Sequence, residues 1–103
     1  MNHYKKPKNL REEVYEYASV YIRRGGKEGR KKQVTRLINA LVEIKQKYSI
    51  ESIHQVGRRH VHWWDEQLVK QKRSSRTREA YWYGFKLLWK WLNRNGEPPR
   101  PKI

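Results

Sequence analysis

The run from Tyr81 to Leu92 constrains this fold more than any other stretch of the chain. It reads Tyr-Trp-Tyr-Gly-Phe-Lys-Leu-Leu-Trp-Lys-Trp-Leu. At helical spacing, Tyr81, Gly84, Phe85, Leu88, Trp91 and Leu92 form one central stripe, with Trp82 and Trp89 on its flanks. Only a sector holding Glu79, Tyr83, Lys86, Lys90 and Arg94 is polar. A helix this apolar is enclosed by neighbours rather than laid on a surface. Ser74 or Ser75 supplies a small polar cap at its start. Asn95-Gly96 and the prolines Pro98, Pro99 and Pro101 stop it. The pattern predicts a helix over about 75–94 at the centre of a helical bundle.

Three further helices are predicted around it. Val14, Tyr17, Ala18, Tyr21 and Ile22 recur at spacings of three and four, giving a first helix over about 9–24. Glu12 and Glu13 suit its positive end, Arg23 and Arg24 its negative end, and Gly25-Gly26 ends it. Lys27 to Gly29 reads as a linker. Val34, Leu37, Ile38, Leu41, Ile44 and Tyr48 mark a second helix over about 30–48. Ile50 and Ile53 pin the connection that follows. Gly57 is the expected cap of a third helix over about 57–71, whose face is Val61, Trp64 and Leu68. No strand alternation persists and no repeat appears. The expected fold is all-α: a single-domain bundle of four main helices over residues 9–96, preceded by a flexible basic arm at 1–8.

The bundle is small, since a chain of 103 residues buries roughly 60–70% of its unfolded surface. Five Trp, seven Tyr and one Phe compensate, because each such ring buries about 150–250 Å². With no cysteine, disulfides and thiolate metal sites are excluded. The polar start, Met1 to Lys6, resembles no signal peptide, and no apolar run approaches the ~18 residues of a membrane span.

Enzymatic constellations fail on spacing. His60 and His62 point to different sides of a helix and cannot chelate as an i, i+4 pair can. His3, His54, His60 and His62 are expected at the surface or partly packed. Asp65 and Glu66 are adjacent and diverge. Gly25-Gly26-Lys27-Glu28-Gly29-Arg30 lacks the Gly-Lys-Ser/Thr ending and the preceding strand of a phosphate loop. No general base is placed beside any tyrosine. No cofactor and no catalytic residue is predicted.

The charge carries the functional signal. Lys and Arg number 25 against 10 Asp and Glu, a net +15 that repels itself unless a polyanion is the partner. Two clusters stand out: Arg23, Arg24, Lys27, Arg30, Lys31, Lys32 and Arg36, and then Lys70, Lys72, Arg73, Arg76 and Arg78. Both straddle a predicted helix start, where free backbone N–H groups and the positive dipole end already favour an anion. Cations there oppose the dipole by a few tenths of a kcal/mol, which points to a phosphate held between them. Ser74, Ser75 and Thr77 add neutral donors. Gln33, Arg36 and Asn39 are candidates for reading base edges. Trp63 and Tyr83 are the aromatics expected at the surface.

The order of these features resembles the N-terminal core-binding, SAM-like domain of tyrosine recombinases and phage integrases. The features are the second helix, the Ile53 and Val56 connection, the third helix with Val61, Trp64 and Leu68, and the basic turn. Ser74-x-x-Thr77, the aromatic helix ending Leu88-Trp89-Lys90-Trp91-Leu92, Asn95-Gly96 and the prolines complete it. The resemblance covers about residues 10–101. It implies a non-catalytic DNA-gripping domain of a site-specific recombinase, partnered by a separate C-terminal catalytic domain and by other protomers in a synapse. It implies duplex DNA contacts from Lys31, Lys32, Gln33, Arg36, Arg76, Thr77 and Arg78, and the basic clusters and hydroxyls add Arg30, Lys72, Arg73 and Ser75 to the expected contacts. It also implies that residues 97–103 are a linker toward the catalytic domain, and a cytoplasmic setting in a prokaryotic cell, phage- or mobile-element-encoded. Two other readings fit the charge. One is a stand-alone helical DNA- or RNA-binding regulator. The other is a cationic membrane-surface or protein-interaction module, which requires an exposed apolar face on the last helix.

Overall fold

A computed structural model describes residues 9–103, so the arm expected at 1–8 lies outside the described residues. Its elements are α1 (Leu10–Arg23), α2 (Lys27–Tyr48), a 3-10 turn (Ile53–Gln55), α3 (Arg58–Lys70) and α4 (Ser75–Trp91). The fold is an all-α single-domain bundle, with no strand among the described residues.

Each helix end has a local cause. The Asn9 side chain accepts the Glu12 N–H at 2.8 Å and opens α1. The Ser74 hydroxyl accepts the Thr77 N–H at 3.2 Å and opens α4. At α3 the cap residue is Gly57, which has no side chain to offer. His60 answers instead from the third helical position, its Nδ1 accepting the Gly57 N–H at 2.8 Å. That is the role Glu or Gln plays in a capping box. Both α3 and α4 close in a Schellman turn. The Lys72 and Asn93 N–H groups donate to Val69 and Lys90, and those of Arg73 and Arg94 to Leu68 and Trp89. The left-handed position is Lys72 in one turn and Asn93 in the other, with φ of 57° and 53°. This closure stops α4 at Trp91, three residues before the expected end.

Lys27–Gly29 is no linker; it forms the first turn of α2. A tertiary contact overrides the glycine there. The Arg30 guanidinium lies over the Tyr21 ring, 4.3 Å from its centroid, and donates to the Tyr21 carbonyl, fastening that turn to the end of α1. The connection shrinks to Arg24–Gly26, and α1 and α2 form a tight antiparallel hairpin.

The centre of the bundle is α2 rather than α4. It buries Val34, Leu37, Ile38, Ala40, Leu41 and Ile44, and each large aliphatic among them contributes roughly 1.5–3 kcal/mol. Helix α4 packs antiparallel to it. Gly84 faces Leu37 and the Gln33 carbonyl, while Trp91 reaches the α1 tyrosines, stacking on Tyr17 with centroids 5.7 Å apart. The buried face of α4 is Trp82, Gly84, Phe85, Leu88 and Trp89, leaving Tyr81, Trp91 and Leu92 half-buried. The two expected flanking tryptophans are therefore core. The stripe is rotated because α3 and the C-terminal residues cover the Trp82 side.

Polar ties fix the remaining pieces. Glu13 of α1 accepts from the Ser52 hydroxyl (2.7 Å) and the Ile53 N–H (3.1 Å), holding the 3-10 turn. Arg94 donates to the Val56 and His54 carbonyls and lies over the Trp89 ring. Burial holds its guanidinium pKa below the ordinary arginine value. His60 is buried against the Tyr48 ring, deeper than the surface or partly packed placement expected of it. No helix among the described residues is long and apolar enough to cross a membrane.

Candidate nucleic-acid interface

The two basic clusters lie on the two antiparallel partners. Because α2 and α4 run in opposite directions, their starts sit at different heights along the pair. Arg73 and Tyr81 lie beside Asn39 and Glu43 in the middle of α2, whereas Gln33 lies beside Lys86 and Lys90 in the second half of α4. Six to ten residues of α2 separate these levels, which at 1.5 Å per residue is about 9–15 Å.

Within the first cluster the side chains divide by environment. Lys31 and Lys32 are exposed and Arg36 is half-buried, all on one outer face of α2 with Thr35 and Glu28. None of these three cations makes an ion pair or hydrogen bond with a described residue. Arg30 is committed to Tyr21. Gln33 is committed as well, since its carbonyl accepts the Tyr21 hydroxyl proton. Of the three candidates for base reading, Arg36 and Asn39 keep their polar ends free, whereas Gln33 has its amide oxygen occupied by Tyr21.

The second cluster divides the same way. Lys72, Arg73, Ser75 and Arg76 are exposed, with Thr77 half-buried behind them. Arg73 makes only a 3.3 Å contact to Gln71, and Lys72 and Arg76 make none with described residues. Arg78 differs. Its Nε and Nη2 donate to the two Asp65 oxygens at 2.9 and 2.7 Å, and Nη2 also donates to the Lys102 carbonyl at 3.0 Å. The hydrogen bond to Asp65 raises the guanidinium pKa further, so it stays charged and paired. The turn that appears free of acid in the sequence has one brought to it by α3.

A third basic stretch, grouped in the sequence only as the polar sector of the last helix, joins the surface here. A groove of about 470 Å³ between α2 and α4 is lined by Gln33, Tyr83, Lys86 and Lys90, with Leu87 and Trp89 as its floor. Tyr83 is 42% exposed. Lys86 is shared between the Trp82 ring (5.2 Å) and Glu97 (3.3 Å), and Lys90 has no partner among the described residues. Trp63, the other aromatic expected at the surface, is half-buried, edge-on to Tyr48.

The described residues hold no group of three or more His, Asp or Glu side chains placed to bind a metal. The aromatic face of α4 is covered, which removes the exposed apolar face that a membrane-surface module needs. No family model matches the chain, and no curated protein or solved structure does.

Proposed function

We propose that this chain binds duplex DNA with the basic outer face of α2 and the turn that starts α4. The observation that carries the reading is the set of cations with no ion pair among the described residues: Lys31, Lys32 and Arg36 on α2, and Lys72, Arg73 and Arg76 in the turn and first residues that open its antiparallel partner α4. Their levels along the pair differ by about 9–15 Å, a range that includes the roughly 12 Å width of a DNA major groove. The second set surrounds the start of α4, where free backbone N–H groups attract phosphate; the first lies one to two turns inside α2 and acts through its side-chain charges. Ser75 and Thr77 supply neutral donors to the same phosphates. Arg36, within the first set, and Asn39, one turn further along α2, are the side chains offered to base edges. Arg30, Gln33 and Arg78 hold the helices in place and touch the DNA little.

The resemblance to the core-binding domain of tyrosine recombinases supplies the setting of this proposal. There the domain grips one face of a recombination half-site, and a separate catalytic domain and further protomers complete the assembly. The test is anisotropy of a labelled duplex titrated with protein across a salt series. With about 5–8 phosphate contacts, log K falls by about 0.9 per contact per decade of salt. A flat salt response overturns the proposal.

A further inference from the structure

Residues 97–103 do not leave the bundle. Gly96, at φ 76°, turns the chain back; Pro98 and Pro99 are buried, and Pro99 and Pro101 sit in the groove between α3 and α4. Pro98, Pro99 and Pro101 fix their own φ angles, and each restricts the residue before it to extended backbone. Such a segment makes no internal hydrogen bonds, so its carbonyls are free to accept. Three of them do, each from a bundle side chain. Arg58 donates to Glu97 (3.1 Å), the Trp82 indole N–H to Pro98 (3.0 Å) and Arg78 to Lys102 (3.0 Å).

No backbone–backbone hydrogen bond joins residues 97–103 to any described helix. Everything that holds the tail comes from side chains, as for a bound peptide. The groove wall is aromatic and aliphatic, chiefly Trp64, Tyr81, Trp82 and Phe85, and the docked prolines leave only about 10 Å³ unfilled. Arg100 lies over the other part of the seat, 4.6 Å from the Trp82 ring centroid. An aromatic groove with an indole N–H aimed at a proline carbonyl is the chemistry by which extended proline segments are recognised.

We infer that the α3–α4 groove is a binding site for an extended Pro-Pro-x-Pro segment, and that residues 97–103 are its resident, exchangeable ligand. Covalent attachment gives the tail an effective concentration in the millimolar range, so a free peptide competes only when the tail is weakened. Arg78 connects this site to the first turn of α4, since it holds Asp65 and the tail with one guanidinium.

The test uses the full chain with Pro98→Asp and Pro99→Asp, labelled with ¹⁵N and titrated with a synthetic peptide of residues 96–103. The Trp82 indole N–H resonance should shift on substitution and return to its original position, half-way at or below about 1 mM peptide. A peptide of the same composition with its prolines separated should not restore it. Absence of return at 5-fold higher peptide, or equal return with the scrambled peptide, overturns the inference. Should the aspartates unfold the chain, Pro98→Ala with Pro99→Ala replaces them under the same criteria. Unfolding of that milder variant would make the tail part of the fold and overturn the inference as well.

Discussion

Arg78 of α4 and Asp65 of α3 form a two-point pair, with Nε–Oδ1 at 2.9 Å and Nη2–Oδ2 at 2.7 Å. Their side chains are only 14% and 25% exposed. The pair pins the first turn of α4 against α3, so that turn is held in position before any ligand arrives. Its neighbour Arg76 is exposed and unpaired among the described residues. Two arginines two residues apart thus have different work.

Substitution separates them. Arg76→Ala should weaken binding to all duplexes, reduce the salt slope by about one contact and leave stability within about 0.5 kcal/mol. Arg78→Ala should cost about 1–2 kcal/mol, the value of charged hydrogen bonds discounted for partial exposure, and leave the salt slope unchanged. Urea denaturation and anisotropy titration of both variants check this. A loss of salt slope in Arg78→Ala would return that residue to the DNA surface.

Lys72 sits in the left-handed position of the α3 Schellman turn, where an L side chain costs roughly 1 kcal/mol relative to glycine. Lys72→Gly should therefore stabilise the fold by about 0.5–1 kcal/mol. The same change removes a cation from the proposed interface and should lower DNA affinity. Greater stability with undiminished affinity would exclude Lys72 from the contact.

His60 gives the fold a pH dependence. Its Nδ1 accepts the Gly57 N–H, so a proton cannot sit there in the folded state. Burial, and then the Arg59 charge, hold its pKa below the ordinary histidine value of about 6.5. A depressed folded pKa means that the unfolded chain binds the proton better. Stability is then complete above about pH 6.5 and falls as the pH drops through and below that value. His60→Gln keeps the reach-back to Gly57 and removes the titration. Denaturation midpoints at pH 5 and 7 should differ for the native chain and differ less for the variant.

Gly84 of α4 packs directly against the backbone of α2. A Cβ there would lie 3.4 Å from the Leu37 Cβ and 3.7 Å from the Gln33 carbonyl oxygen. Alanine regains about 1 kcal/mol of helix propensity and meets ordinary van der Waals contact, so Gly84→Ala should be neutral or slightly stabilising. Gly84→Val adds methyl groups to the same gap and should cost about 1–3 kcal/mol by forcing the helices apart. Thermal denaturation of the pair distinguishes the two.

The positions of the four helices were legible because apolar spacing and caps are local signals. Asn9, Gly57 and Ser74 mark starts that three or four residues of sequence suffice to read. The ends of α1 and α3 fall within one residue of expectation. The start of α2 was not legible, since its glycines read as a linker and only the Arg30–Tyr21 contact outweighs them. The candidate site was legible in its composition and not in its division of labour. Arg30, Gln33 and Arg78 look like their neighbours along the chain. They are set apart by Tyr21 and Asp65, which lie nine to thirteen residues away.

By itself, then, the sequence determined an all-helical chain with a large aromatic payload and two clusters of positive charge near helix starts. Periodicity, capping and net charge are properties of neighbouring residues, and no packing is needed to state them. The tertiary structure alone decided that α2 is the centre, that α4 runs antiparallel to it, and that the prolines fold back into a groove. It also decided which cations remain free. Those outcomes depend on which side chains meet across the bundle, and burial and pairing are settled only there.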